Sequence, residues 1–139
     1  MPLDLSSLHK AGRSLDRALG VAAPGRLESM PADQQEVIKA GVIQNFEFTY
    51  ELCWKFMKRW LESNISPMIA DGVTRRELFR LAAENLLIED VEQWMIYHDA
   101  RNQTAHIYDL EIAQEVYETA RGFVRDARKL LQALESRND

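Results

Sequence analysis

The chain has 139 residues, 46% hydrophobic and 28% charged, which is one domain's worth of sequence with enough apolar side chain to bury a core. Its 17 basic and 22 acidic side chains leave a net charge of −5, which excludes binding nucleic acid through a broad basic surface but not through a small local basic cleft. Cys53 is the single cysteine, which excludes an internal disulfide and a cysteine-based metal cluster and fits a reduced, cytoplasmic setting.

The first predicted helix covers residues 3–23, where Leu8, Ala11, Leu15, Ala18, Leu19 and Ala22 make one apolar stripe. Pro24-Gly25 breaks it, and residues 26–30 form a connector. The second and longest helix is predicted over 31–64, with Pro31 in its first turn and Asp33 close behind. Gln44, Glu47, Glu51, Lys55, Lys58 and Glu62 form its narrow polar face, with Glu51 and Lys55 spaced as an i,i+4 ion pair. The remainder is apolar on two sides. One stripe runs through Val42, Ile43, Phe46, Tyr50, Cys53, Met57, Trp60 and Leu61; the other holds Phe48, Leu52 and Phe56. Two stripes mean either central burial or a partner surface.

Pro67 and Asp71-Gly72 mark residues 63–73 as a loop. Thr74 and Glu77 form a capping box for a short third helix that buries Leu78, Leu81 and Ala82, with Asn85 as a left-handed C-cap. Glu89-Asp90 opens a fourth helix with the stripe Val91, Trp94, Met95 and His98. Arg101 is next on that stripe, so a guanidinium falls on an inward or partner-facing side and needs a counter-charge or a cleft. Asp109 caps the last helix, whose apolar positions run from Ala113 through Val116, Tyr117, Ala120, Phe123, Ala127 and Leu130 to Leu134. Residues 136–139 are expected to fray. No strand pattern and no repeat is present, and no apolar run approaches a membrane span. These elements predict an all-α, antiparallel up-and-down four-helix bundle with an extra short helix.

The densest chemistry is Arg101-Asn-Gln-Thr-Ala-His-Ile-Tyr108. An arginine can hold a phosphate through a bidentate fork, and a histidine can move a proton near neutral pH. The competing reading is that Arg101 and His106 only complement the carbonyls of a helix C-terminus. Five residues on an α-helix turn through about 140°, so the two share a face only if the helix ends or loosens between them. There is no Gly-rich phosphate loop and no His-Glu-x-x-His signature, so no cofactor or metal is expected.

The segment Arg101 to His106 fits the Arg-x(4–6)-His motif of HEPN-domain proteins, and its extension to Tyr108 resembles HepT-type toxins and the related nucleotidyltransferase substrate-binding proteins. Residues 43–55, Ile-Gln-Asn-Phe-Glu-Phe-Thr-Tyr-Glu-Leu-Cys-Trp-Lys, look like this group's second-helix signature. Leu87-Ile-Glu-Asp, Trp94 and the Arg101–Asp109 segment follow in the family's order, so the resemblance covers most of 31–124; Asn85 stands where the family pattern has Gly. The resemblance implies a single HEPN-like helical domain over 1–139, a homodimer, and a cognate minimal nucleotidyltransferase as partner. In HepT-like members it implies a toxin-antitoxin pairing. There the dimer is a metal-independent ribonuclease, with Arg101, His106 and Asn102 at the catalytic positions, silenced by AMP transfer (AMPylation) to Tyr108. Other relatives are non-catalytic substrate-binding subunits, and this second class stays open.

Overall fold

The computed structural model describes residues 2–138. It contains α1 (Ser6–Val21), α2 (Ala32–Asn64), α3 (Arg75–Glu84), α4 (Val91–Gln103) and α5 (Leu110–Ser136), with a 3₁₀ turn, Thr104–His106, between the last two. No strand is present among the described residues, and no helix is long and apolar enough to cross a membrane.

Local chemistry fixes the helix starts. The Thr74 hydroxyl accepts the Glu77 N–H at 3.1 Å, and Asp90 accepts that of Gln93 at 3.1 Å. Asp109 accepts from Glu111 and Ile112 at 2.9 and 3.4 Å. Each such cap contributes about 1 kcal/mol to its helix. Two expectations at helix ends need correction. Pro31, with ψ 152°, stands just outside α2 rather than in its first turn, leaving Ala32 as the first helical residue. Asn85 is not left-handed, with φ −96°; Leu86 takes that role at φ 62°. The Leu86 and Leu87 N–H groups donate to the carbonyls of Ala83 and Ala82 at 3.0 and 2.9 Å, which closes a Schellman motif one residue later than expected.

Cross-helix contacts set the topology. Ser14 meets Asn45 and Ala11 meets Thr49, so α1 and α2 run antiparallel. Tyr50 meets His98 while Glu47 meets Arg101, so α2 and α4 are antiparallel too. Tyr97 meets Asp126 while Glu89 meets Lys129, which gives the same sense for α4 and α5. Lys39 reaches Gln114 and the Trp60 indole reaches the Arg137 carbonyl, so α2 and α5 run parallel as the central pair. Both α1 and α4 pack on that pair, and α3 packs on α2 and α4. The result is an up-and-down four-helix bundle with one added short helix.

This arrangement answers the question of α2's two stripes. Every member of the first stripe is buried. Phe56 from the second is also buried in the core, whereas Phe48 is 63% exposed and Leu52 is half-buried. Central burial accounts for most of the apolar surface, and Phe48 is the residue left over. Phe123 of α5 lies at the centre of the core, with ring centroids 5.0 Å from Phe46, 5.7 Å from Trp94 and 4.9 Å from Tyr97, each pair edge-on.

The chain end is held rather than frayed over the described residues. Asn138 exchanges two hydrogen bonds with the Leu3 backbone, at 2.7 and 2.9 Å. The Arg137 guanidinium lies 4.4 Å from the Trp60 ring centroid. Asp139, also expected to fray, lies outside the described residues.

Candidate functional site at the end of the fourth helix

The buried side of α4 is Trp94, Tyr97 and Ala100, a face rotated from the stripe read in the sequence. His98 and Arg101 therefore sit on the flank of the helix, half-buried, facing α2. The α-helix ends at Gln103 and tightens to 3₁₀ over Thr104–His106, which is the loosening that the Arg101–His106 spacing requires.

Arg101 is engaged within its own chain. Its Nε donates to Glu51 Oε1 at 3.0 Å, and its Nη2 lies 3.6 Å from Glu47 Oε1. Its Nη1 points to the Thr104 hydroxyl at 3.5 Å. Glu51 does not pair with Lys55 as its i,i+4 spacing suggested. Its second oxygen accepts the Trp54 indole N–H at 3.0 Å, while the Lys55 ammonium lies over the Trp54 ring at 5.8 Å.

The same polar seam continues to α3. The Arg75 guanidinium lies 3.7 Å from the Trp54 ring centroid and donates to the Tyr50 hydroxyl at 3.3 Å. That hydroxyl lies 2.8 Å from His98 Nδ1. Asn102 Nδ2 faces His98 Nε2 at 3.5 Å. Desolvation, and then the positive charge of Arg75, hold the His98 pKa below its ordinary value. Burial pushes the Tyr50 pKa up, with Arg75 opposing.

His106 and Tyr108 lie on the open side of the junction. Both are exposed, Tyr108 to 82%. Their ring centroids are 6.0 Å apart at 77°, an edge-on pair. Asp109 caps α5 immediately after them, and its own N–H donates to the His106 carbonyl at 3.0 Å. Tyr50, Tyr97 and Tyr117 are all buried, so Tyr108 is the exposed tyrosine of the chain.

The structure thus gathers Arg101, Asn102, His106 and Tyr108 at one helix junction but in two groups. Arg101 faces the carboxylates of α2 and exposed Asn102 reaches back to His98 on its own helix, whereas His106 and Tyr108 face outward; among the described residues no hydrogen bond links His106 to Arg101. Glu47, Glu51, Trp54 and Arg75 are neighbours that sequence reasoning missed. Nothing in helical periodicity pairs a carboxylate with an arginine 50 positions away. The available signal was indirect, namely that Arg101 on an inward side required a counter-charge. No cluster of three or more metal-ligating side chains is present among the described residues.

The described residues form a small all-helical four-helix bundle that carries this site at its α4–α5 junction. Residues 3–136 match the family described as nucleotidyltransferase substrate binding protein like, and the chain belongs to that family. It is 36% identical over 140 residues to "Probable ribonuclease HepT" of Haemophilus influenzae, spanning 98% of this chain and 94% of that protein. It superposes with a TM-score of 0.88 and 34% identity on HI0074 of Haemophilus influenzae, covering 95% of this chain and 99% of that one. That structure is reported to reveal the fold of a substrate binding domain of a nucleotidyltransferase. A protein of Thermus thermophilus shares the fold at a TM-score of 0.73 and 24% identity, covering 91% of this chain and 98% of that one.

Proposed function

We propose that this protein is a metal-independent ribonuclease of a toxin-antitoxin-like pair, acting as a homodimer and controlled by a cognate minimal nucleotidyltransferase. The observation that carries this reading is the exposed His106–Tyr108 pair at the junction that follows Arg101 in the last turn of α4. The 36% identity to a protein named as a ribonuclease supports it, and the family description supports the transferase partner.

His106 takes the proton from a ribose 2′-hydroxyl, whose oxygen attacks the adjacent phosphorus, or returns a proton to the departing 5′-oxygen. The bond from phosphorus to the 5′-oxygen breaks, leaving a 2′,3′-cyclic phosphate and a free 5′-hydroxyl. Arg101 stabilises the charge growing on the phosphate oxygens, and Asn102 orients the phosphate or the guanidinium. One histidine does not easily serve as base and acid together, so a dimer that brings two motifs to a shared cleft completes the chemistry.

One observation favours a second reading, a non-catalytic substrate-binding subunit of a nucleotidyltransferase complex. Arg101 already faces two carboxylates, Glu47 and Glu51, which offset the charge an RNA phosphate would meet. The deciding experiment incubates the purified protein with RNA in the presence of a chelator. The ribonuclease reading expects cleavage by the parent and at least a hundredfold loss in Arg101→Ala and His106→Ala, of the order that electrostatic and proton-transfer groups supply. Unchanged circular dichroism would show that both variants fold. A parent that leaves RNA intact supports the binding subunit.

A further inference from the structure

We infer that Glu51 is the positioning residue for Arg101, holding the guanidinium by its Nε edge so that the Nη edge is presented to a phosphate. The inference deepens the reading above for the same site and rests on it only where cleavage is measured.

The geometry is a relay. Arg101 Nε donates to Glu51 Oε1 at 3.0 Å. Glu51 Oε2 is taken by the Trp54 indole at 3.0 Å. The opposite side of the relay is braced by Arg75, stacked 3.7 Å from the Trp54 ring centroid. Both oxygens of the carboxylate are thus assigned, and the indole that holds it is itself pinned. The side chains of Arg101 and Glu51 are each 31% exposed, so neither is a freely solvated surface group. Guanidinium carries five N–H donors. Glu51 uses one of them at close range. The Nη contacts are looser, 3.6 Å to Glu47 and 3.5 Å to Thr104. The donors left with the most freedom are those of the Nη pair, the edge that can grip two oxygens of a phosphate.

Two effects of Glu51 oppose each other. Its negative charge weakens attraction for a phosphate. Its hydrogen bond removes rotamer freedom from a long side chain and fixes the direction of its donors. Pre-organisation outweighs charge here, because the carboxylate is locked from both sides and meets Arg101 at Nε, away from the donors that would meet the ligand. A small displacement of a charge-stabilising group costs up to about a hundredfold in rate.

The test compares the parent with Glu51→Gln, Glu51→Ala and Glu47→Gln in two measurements. The first is the Arg101 Nε–H resonance in nitrogen-15 NMR, which needs no activity. It should be resolved and slowly exchanging in the parent, retained in Glu51→Gln and Glu47→Gln, and lost to fast exchange in Glu51→Ala. The second is RNA cleavage. Glu51→Ala should lower kcat by ten- to a hundredfold with little change in KM, whereas Glu51→Gln, which still accepts from Nε, should keep most of the parental rate. A rise in kcat/KM on removing the Glu51 charge in both variants would overturn the inference and make Glu51 an electrostatic brake. An Nε–H signal unaltered in Glu51→Ala would also overturn it. A parent inert toward RNA whose Nε–H signal still depends on Glu51 would retire the ribonuclease reading and leave the positioning role standing.

Discussion

His98 Nδ1 on α4 lies 2.8 Å from the Tyr50 hydroxyl on α2, and Arg75 at the start of α3 donates to that same hydroxyl at 3.3 Å. One phenol oxygen therefore ties three helices together beside the candidate site. The charged groups around this imidazole are Arg75, Asp99, Glu51 and Arg101. Desolvation and Arg75 hold its pKa below the ordinary 6.5, so the unfolded chain takes up this proton before the folded chain does. The stability that neutral His98 provides is complete above pH 6.5 and is lost as the pH falls through the folded value. Thermal midpoints measured from pH 7.5 down to about pH 5 should fall more steeply in the parent than in His98→Gln. Parallel slopes for the two proteins would rule this out.

Leu86 is the non-glycine residue with positive φ among the described residues, and its side chain is 79% exposed. It sits at the position after the C-cap of α3, where glycine meets no Cβ penalty. Its own side chain contributes little packing to set against that strain. Leu86→Gly should therefore raise stability by about 0.5–1 kcal/mol, the left-handed cost less the extra entropy of an unfolded glycine. Urea unfolding monitored through tryptophan fluorescence checks the sign, and a lower midpoint would mean that Leu86 packs in a way its exposure does not show.

Phe48 is the aromatic residue of α2 that the bundle leaves exposed, and half-buried Leu52 lies one turn along the same face. Glu47 and Glu51, which meet Arg101, border this patch. A second copy of the chain packed here would bury Phe48 and bring two junctions close together, as the proposed shared cleft requires. Light scattering at micromolar concentration should give a dimer for the parent and a monomer for Phe48→Glu, since a buried unpaired carboxylate is strongly disfavoured. A monomeric parent, or a variant that stays dimeric, would remove this face as the interface.

What the sequence made legible follows from the range of its signals. Caps act over three residues, so Thr74 and Asp109 were readable and cap as read, and the acidic pair Glu89-Asp90 marked a helix start at which Asp90 proves to be the cap. Helical periodicity identifies a face, so the core stripe from Val42 to Leu61 was readable too. Periodicity does not say which helix that face meets. Phe48 and Phe56 therefore read alike, although one is exposed and the other buried. For the same reason Glu51 read as one member of a solvated polar face, when the α2–α4 pairing brings it against Arg101. The position of the left-handed residue after α3 was missed by one place. Asparagine tolerates that conformation better than leucine, yet the Schellman hydrogen bonds and the burial of Leu87 select Leu86.

Tyr108 should be the acceptor of an adenylyl group from the cognate transferase. The positional argument is exposure: Tyr108 is 82% exposed, while Tyr50, Tyr97 and Tyr117 are buried at 0%, 1% and 3%. The chemical argument is the nucleophile. Burial pushes the pKa values of those three phenols up, so they are both inaccessible and hard to ionise. In the transfer, the Tyr108 oxygen attacks the α-phosphorus of ATP, pyrophosphate departs, and the phenolic proton passes to a base of the transferase. The new phosphodiester places negative charge and bulk beside His106, whose ring centroid is 6.0 Å from that of Tyr108, and so repels an RNA backbone. Co-expression with the transferase, followed by intact-mass and peptide mass spectrometry, should show an AMP adduct on Tyr108 that is absent in Tyr108→Phe. The Tyr108→Phe variant should also escape silencing while keeping its own cleavage rate, because the proposed mechanism assigns proton transfer to His106. An inactive complex carrying an unmodified Tyr108 would instead mean that the transferase works by covering the junction.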